Sequence, residues 1–208
     1  MLGSTVLNVA GKGCGRPSLK PQARKVQDAL AALGIDREVI ELPVIAKTSQ
    51  QAAAAVGVAV AQIAKSLVFT SNGHPVLVIA SGANRVDERK LERLTGGKIR
   101  KADADTVKRA TGFAIGGVPP VAHAGQLPTF IDRDLLQLQL IYAAAGVPEC
   151  VFPLSPEELL RATGGNQFEQ RLVVELAHTL KPRFQRRKDL RLRLREIFNA
   201  VRIVEAVV

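Results

Sequence analysis

The sequence predicts an α+β fold in which a mixed, partly closed β-sheet is surrounded by short helices. Apolar runs that are typical of strands alternate with short helical patterns along residues 18–165. The Asn72-Gly73 pair between two such runs is a strong hairpin signal. The connections between the other elements are too irregular for a doubly wound parallel sheet, which leaves a single mixed-sheet domain.

The first elements of this domain are a helix, a strand and a second helix. Apolar residues at helical spacing predict a helix that ends at Gly34, and residues 38–42 have the pattern of a short strand. Thr48 followed by Gln51 has the spacing of a capping box, which predicts a short helix that ends at Gly57.

The central hairpin is the clearest element. Residues 66–70 and 75–80 are apolar strands on either side of the Asn72-Gly73 turn. The nearly unbroken apolar run of the second strand predicts that it is buried on both faces.

The later elements follow from similar local signals. Asp87 opens a charged helix that Gly96-Gly97 closes, and Ser155 with Glu158 has the spacing of a capping box for the last helix. The other predicted elements are strands at 98–100, 128–131, 137–142 and 149–152 and a helix over 103–111.

The 208 residues divide into three predicted parts: a flexible leader at 1–17, the domain at 18–165 and a basic helical extension at 166–208. Within the extension, residues 183–195 hold seven basic residues and one acidic residue. An RNA-binding appendage, a solvated helical tail and an altered reading frame all remain open as interpretations of this segment.

The charge of the chain favours a polyanionic partner. The net charge is +10 and the isoelectric point is about 10.1, so nucleic acid is the first expected partner and an anionic membrane surface the second. A basic protein with no such partner is the alternative. Aromatic residues make up only 4% of the chain, which argues against a single-strand binder built on aromatic stacking.

Cysteine usage and hydropathy indicate a cytoplasmic protein. Cys14 and Cys150 lie far apart, and neither forms a CxxC or a Cys/His cluster with metal spacing. No apolar run reaches the roughly 20 residues that a membrane span needs, and the first ten residues do not read as a signal peptide. We therefore expect no metal, no cofactor and no membrane association.

Two features carry candidate chemistry, because the usual hydrolase signatures are missing and His74, His123 and His178 are scattered. Lys65 directly precedes a buried strand, where its ammonium can project into a cleft; a surface lysine is the alternative. Gly116-Gly117-Val118-Pro119-Pro120 is a loop whose backbone can approach a ligand closely and offer N–H groups to it; a plain surface loop is the alternative.

Over residues 22–165 the sequence resembles the YbaK/prolyl-tRNA synthetase-associated editing domain. Each matching piece is weak alone, but their order and spacing are fairly specific. The pieces are Thr48-Ser49-Gln50-Gln51-Ala52-Ala53, Ile63-Ala64-Lys65-Ser66-Leu67-Val68, Thr111-Gly112-Phe113 with Gly116 to Pro120, Phe130-Ile131-Asp132, and Leu154 to Leu160.

The resemblance implies hydrolysis of wrongly charged aminoacyl-tRNA, such as tRNA for proline that carries alanine or cysteine. It implies that Lys65 is the functional lysine of the family and that Gly116 and Pro120 are the glycine and proline of its GxxxP loop. Gly117, Val118 and Pro119 complete that loop. Asp132 matches an acidic position near the site, where it orients Lys65 or binds the substrate amine; a helix N-cap is the alternative role.

The resemblance also implies a protein that acts in trans on charged tRNA, without a synthetase module of its own but with a synthetase as a possible partner. After the loop the sequence has Val121-Ala122-His123, which departs from the cysteine-specific branch and favours alanine or another small residue. His123 is a candidate pocket residue, and Cys150 is expected in the core. A non-catalytic tRNA- or RNA-binding module of the same fold and a small-molecule esterase are the alternative functions.

Overall fold

The centre of the molecule is an antiparallel hairpin of β2 (Ile63–Ser71) and β3 (His74–Ser81). The computed structural model describes residues 19–164 and the backbone of a strand at 202–204. Asn72 and Gly73 have φ values of 49° and 85°, which are the positive angles that a tight two-residue hairpin turn requires. All residues of β3 from Val76 onward are buried, as the apolar run predicts.

The sheet is mixed, as predicted, but it is open rather than partly closed, since within the described residues each of its two end strands pairs on one side only. The strands pair in the order β1 (Ile40–Glu41), β7 (Cys150–Leu154), β6 (Ile141–Ala144), β2, β3, β5 (Thr129–Asp132), β8 (Arg202–Val204). One further strand, β4 (Ile99–Lys101), pairs with β2 outside this path. The pairs of β2 with β6, of β3 with β5 and of β5 with β8 are parallel, and the others are antiparallel.

Five short helices surround this sheet in the described part of the chain, and their ends follow local capping chemistry. Ser155 accepts a hydrogen bond from the Glu158 N–H, and the Glu158 carboxylate accepts one from the Ser155 N–H, so the predicted capping box forms. The helices are α1 (Pro21–Ala32), α2 (Ser49–Val56), α3 (Glu88–Thr95), α4 (Ala104–Thr111) and α5 (Pro156–Ala162).

The two faces of the β2–β3 hairpin bury different side chains. One face contributes Leu77 and Ile79 to the main core, which also includes Phe113 and Phe152. The other face packs against α3 through a smaller cluster around Val78 and Leu91. Because residues alternate between the faces of a strand, neighbouring residues of β2 reach opposite sides of the sheet.

One predicted strand starts in the wrong place. The alternation at 137–142 predicts a strand, but residues Arg133–Gln137 form a 3-10 helix and β6 begins only at Ile141. The cause is Asp132, whose carboxylate accepts a hydrogen bond from the Asp134 N–H and starts the helical turn.

The predicted leader at 1–17 and nearly all of the extension at 166–208, including residues 183–195, lie outside the described residues. Among the described helices, none has the length and apolar character that crossing a bilayer requires.

Candidate functional site

A cleft opens where the pairing along one edge of β2 is interrupted. On this edge β6 pairs with Ile63 and Ala64, whereas β4 pairs only from Phe69 onward. The two neighbouring strands therefore diverge around the middle of β2, and a cavity of about 710 Å³ lies there. Its walls come from β2, the start of α2, the segment before α3, the loop after α4 and the connection from β6 to β7.

Lys65 lies on β2 at this interruption and lines the cleft. Its ammonium donates hydrogen bonds to the backbone carbonyl oxygens of Asn84, at 2.6 Å, and Gly82, at 3.3 Å. An ammonium has three N–H donors, so these two bonds fix its direction and leave one donor for a ligand. Burial lowers the pKa of Lys65 from its ordinary value, although the charge of Asp132 partly opposes this effect.

The carbonyl partners of Lys65 are held close to the sheet by a required glycine. A Cβ atom at Gly82 would lie 2.2 Å from the carbonyl oxygen of Val60, so only glycine allows the backbone to pass there. The Gly82 N–H also donates to the Ile63 carbonyl oxygen. The two carbonyl groups that orient Lys65 are thus part of a rigid backbone arrangement.

Asp132 is fully buried and stands behind this arrangement rather than in the cleft. One carboxylate oxygen accepts hydrogen bonds from the Ser81 N–H, at 2.9 Å, and from the Asn84 side-chain amide, at 2.8 Å. The other accepts from the Asp134 N–H, at 3.0 Å. Asp132 therefore caps the following helical turn and also holds Asn84, whose carbonyl group orients Lys65. It does not line the cavity that a substrate amine would enter.

The loop with two glycines borders the cleft opposite the strand. Gly116 has a φ of 88° and lines the cavity together with Ile115 and Val118. The Gly117 N–H donates to the Ala114 carbonyl oxygen inside the loop, so this donor is already used. Within the described residues the Gly116 N–H has no hydrogen-bond partner. Of the two predicted backbone donors, only that of Gly116 is free to meet a ligand.

Gly117 fixes the loop against the rest of the molecule. A Cβ atom at this position would lie 2.6 Å from the carbonyl oxygen of Gly146, so the two backbones are in direct contact. Pro119 and Pro120 follow and are buried, and Val118 joins the main core. The prolines thus anchor the loop from behind, and neither lines the cleft.

His123 lies behind the loop and does not line the cleft. Its Nε2 atom is 2.7 Å from the Pro119 carbonyl oxygen; a carbonyl oxygen only accepts, so Nε2–H donates. Burial lowers the pKa of His123, and its ring packs edge-on against Phe113 with centroids 6.5 Å apart. The neutral imidazole supports the loop. Val121, in the main core, does not line the cavity either.

Several cleft residues carry no recognisable local signal in the sequence. Asn84, Arg85 and Tyr142 line the cavity, and only the fold brings them to Lys65. Ser66 also borders it, and its hydroxyl oxygen is buried without a hydrogen-bond partner. Buried hydroxyl groups are nearly always paired, so this atom is a candidate for contact with a ligand.

Cys150 lines the cleft and is buried, as expected for a core residue. Burial raises the pKa of its thiol, and the nearby carboxylates of Glu41 and Glu149 raise it further. A thiol with a raised pKa is protonated near neutral pH and is a poor nucleophile.

The mouth of the cleft is basic. Lys47, Arg85 and Lys101 are exposed at its edge, together with one acidic residue, Glu88. Within residues 19–164, the structure brings together no group of three His, Cys, Asp or Glu side chains that would suit a metal ion.

The comparisons with known proteins agree on one family. The model of the aminoacyl-tRNA editing domain matches residues 45–162, which include Lys65, the loop at 116–120 and Asp132. A solved structure described as "a putative trans-editing enzyme for prolyl tRNA synthetase" is 47% identical, with a TM-score of 0.69 over 72% of this chain and 96% of that one.

Curated relatives give the same picture. The chain is 34% identical to the protein YwhH of Bacillus subtilis, described as uncharacterized, over 60% of this chain and 80% of that protein. It is 28% identical to EbsC of Enterococcus faecalis, named a "Putative Cys-tRNA(Pro)/Cys-tRNA(Cys) deacylase", over 57% of this chain and 73% of that one. It also matches 16% of a proline–tRNA ligase of Nitratidesulfovibrio vulgaris, with 31% identity over 43% of this chain.

Proposed function

Because the chain belongs to the aminoacyl-tRNA editing domain family, we propose that it is a deacylase that hydrolyses the ester bond of mischarged tRNA in trans. The observation that carries this proposal is the pairing of two groups in one cleft. Lys65 is a cation fixed by two carbonyl groups, and Gly116 offers a free backbone N–H. Together they suit an anionic nucleic-acid end and a reacting ester.

Lys65 binds the end of the tRNA as a point charge. Its remaining N–H donor is available for a phosphate or for the terminal adenosine, and its two carbonyl partners keep the ammonium in a fixed position. Since Asp132 holds Asn84, it acts as a positioning residue for this lysine rather than as a ligand of the substrate amine.

The reaction needs no strong protein nucleophile, because an aminoacyl ester is already activated. A water oxygen attacks the ester carbonyl carbon, the bond to the ribose oxygen breaks, and that oxygen takes up a proton. The Gly116 N–H stabilises the oxyanion that develops on the carbonyl oxygen. Cys150 is a protonated thiol and His123 lies behind the loop, so neither is placed as the base. The resemblance to the editing-domain family implies that a hydroxyl of the terminal ribose activates the water, which fits a cleft where neither of these residues is placed as a base.

The inner cleft favours a small amino acid, such as alanine or cysteine on tRNA for proline. Three buried valines, Val68, Val107 and Val118, line the cleft together with Ser66, whose hydroxyl group is buried and unpaired. A rotation about the Ser66 side-chain bond brings this hydroxyl to a polar atom of the bound amino acid. The segment from Val121 to His123 lies outside the cleft and gives no reason to prefer alanine over cysteine.

Cytoplasmic localisation and a synthetase partner belong to the same proposal. Charged tRNA is a cytoplasmic substrate, and a matching segment within a proline–tRNA ligase supports work alongside such an enzyme. The basic mouth of the cleft supports the approach of tRNA.

The test is the deacylation of tRNA for proline charged with alanine, cysteine, serine or proline. We expect selective turnover of one mischarged species and a loss of about 100-fold in the Lys65→Ala variant. Lys108→Ala, which removes an exposed lysine outside the cleft, is the matched control and keeps the wild-type rate. Full activity of Lys65→Ala would contradict the role of this lysine. Salt-sensitive tRNA binding without any turnover would favour the binding module, and turnover of free esters alone the esterase.

A further inference from the structure

The positive charge of the described domain is concentrated in one segment. Residues 85–101 hold seven Lys and Arg against three Asp and Glu. The rest of residues 19–164 holds ten Lys and Arg against eleven Asp and Glu, so the remainder of the domain is close to neutral. A concentration of this kind marks a surface for a polyanion more clearly than the net charge of the whole chain does.

Both ends of this segment lie at the cleft. Arg85, at its start, and Lys101, at its end, line the cleft. Between them, Arg89, Arg93 and Lys98 line an open surface depression of about 740 Å³ beside the turn of the central hairpin. We call these five cations the basic track.

Helical geometry places part of the track in a row. Arg89 and Arg93 are four residues apart on α3 and therefore lie on one face, about 6 Å apart along the axis. Leu91 on the opposite face is fully buried and holds the helix on the sheet. An extended row of cations suits a chain of phosphates better than a single small anion.

The acidic residues of the segment form no ion pairs with the track in the described part of the chain. Asp87 accepts hydrogen bonds from the N–H groups of Arg89 and Lys90, and Glu92 accepts one from the Ile99 N–H. Both carboxylates thus accept hydrogen bonds from the backbone, and the bonds to Asp87 lower its pKa, which the charges of Lys90 and Arg93 lower further. In the described part of the chain, none of the five track cations forms an ion pair. A cation in the last turn of a helix interacts favourably with the helix dipole. This effect explains the presence of Arg93 on α3, but it does not explain the other four cations of the track.

We propose that the basic track binds the backbone phosphates of the acceptor arm of the tRNA whose charged end occupies the cleft. This inference rests on the proposed function, and it adds a second contact surface to the substrate. RNA is favoured over an anionic membrane because both ends of the track, Arg85 and Lys101, line the cleft that the charged end of the tRNA would occupy. In addition, none of the large exposed apolar side chains of the described domain lies in residues 85–101, as membrane insertion would need.

The experiment compares a long and a short substrate in the Arg89→Glu/Arg93→Glu variant. The long substrate is alanyl-tRNA for proline, or the charged species that the wild type hydrolyses best, and the short one is the same amino acid on a CCA trinucleotide. We expect KM for the tRNA to rise at least tenfold with kcat preserved, and the trinucleotide to be hydrolysed as by the wild type. Lys65→Ala, in contrast, should slow the hydrolysis of both substrates.

The matched control is Arg24→Glu/Lys108→Glu. It changes the net charge by the same amount, and Lys108, like Arg93, lies in the last turn of an eight-residue helix. Both control positions are exposed and line neither cavity. We expect the control to keep the wild-type KM for tRNA. Lys98→Glu lies outside α3 and should also raise KM for tRNA. A rise in KM in this variant shows that the effect of the α3 variant does not come from misfolding of α3.

Binding of uncharged tRNA, followed by fluorescence anisotropy over a range of salt concentrations, gives a readout that does not depend on catalysis. The Arg89→Ala/Arg93→Ala variant should reduce the slope of log affinity against log salt by about 1.8, as expected for two lost phosphate contacts on a duplex. A slope and affinity equal to those of an Arg24→Ala/Lys108→Ala control would overturn the inference. If the wild type hydrolyses no charged species, the proposed function fails, and this binding measurement still decides the role of the track.

Discussion

The two sides of the cleft are built by different forces. On the strand side, Lys65 is held by hydrogen bonds that lead back through Asn84 to the buried carboxylate of Asp132. On the loop side, Gly117 is held by direct contact between its backbone and the backbone of Gly146.

This difference determines which kind of substitution disrupts each side of the cleft. The strand side depends on charge and on the direction of hydrogen bonds. Replacing one oxygen atom by a nitrogen atom there therefore alters the interactions of Lys65 without changing the shape of the cleft. The loop side depends on the absence of side-chain atoms, so one added methyl group displaces the whole loop. Substitutions of similar size on the two sides should therefore have different signatures.

The largest effect is expected for Gly117→Ala on the loop side. The new methyl group would lie 2.6 Å from the Gly146 carbonyl oxygen, so one of the two segments must move. We expect a loss of about 3 kcal/mol of unfolding free energy, measured by urea denaturation, and a large fall in deacylation. Gly125→Ala is the control, because its Cβ would meet no atom within 4 Å and its stability should remain within about 0.5 kcal/mol of wild type. Equal stabilities of the two variants would contradict the steric account.

A smaller effect of a different kind is expected for Asp132→Asn on the strand side. Both carboxylate oxygens accept hydrogen bonds from N–H groups, and the amide of asparagine would direct N–H groups at one of these donors. We expect a loss of about 2 kcal/mol in unfolding free energy, while the exposed Asp36→Asn control leaves it unchanged.

The same variant changes the pH dependence of activity. Asp132 raises the pKa of Lys65 against the lowering effect of burial, so loss of its charge lowers this pKa further. The alkaline limb of kcat/KM should therefore move to lower pH in Asp132→Asn. An unchanged limb would show that Lys65 does not act as a cation or that Asp132 does not influence it.

The sequence predicts those parts of the fold that local chemistry determines. The Asn72-Gly73 turn and the box of Ser155 and Glu158 form as predicted, because their signals lie within four residues. The predicted start of β6 at residue 137 is wrong, because periodicity alone does not reveal that Asp132 caps a helical turn before the strand begins at Ile141.

The candidate site is predictable only in part. Lys65 and Gly116 carry motifs, and the fold brings both to the cleft. The contributions of Ser66 and Asn84 arise from the interrupted edge of β2 and from a hydrogen bond that spans 48 residues. Such long-range pairings leave no pattern in the neighbouring sequence, so Ser66 reads as an ordinary strand residue.

The smallest effect on stability, and the sharpest separation from function, is expected for Ser66→Ala. Its hydroxyl oxygen is buried without a partner, so its removal costs no hydrogen bond and relieves an unfavourable burial. We expect an unfolding free energy equal to wild type or higher by up to about 1 kcal/mol.

If the hydroxyl group contacts the bound amino acid, kcat/KM should nevertheless fall about tenfold, because the transition state loses one hydrogen bond. Ser71→Ala, at the far end of β2 and outside the cleft, is the control for the same change and should keep full activity. A Ser66→Ala variant that is as active as wild type would remove this residue from the site. Loss of activity together with lower stability would instead assign Ser66 to the fold.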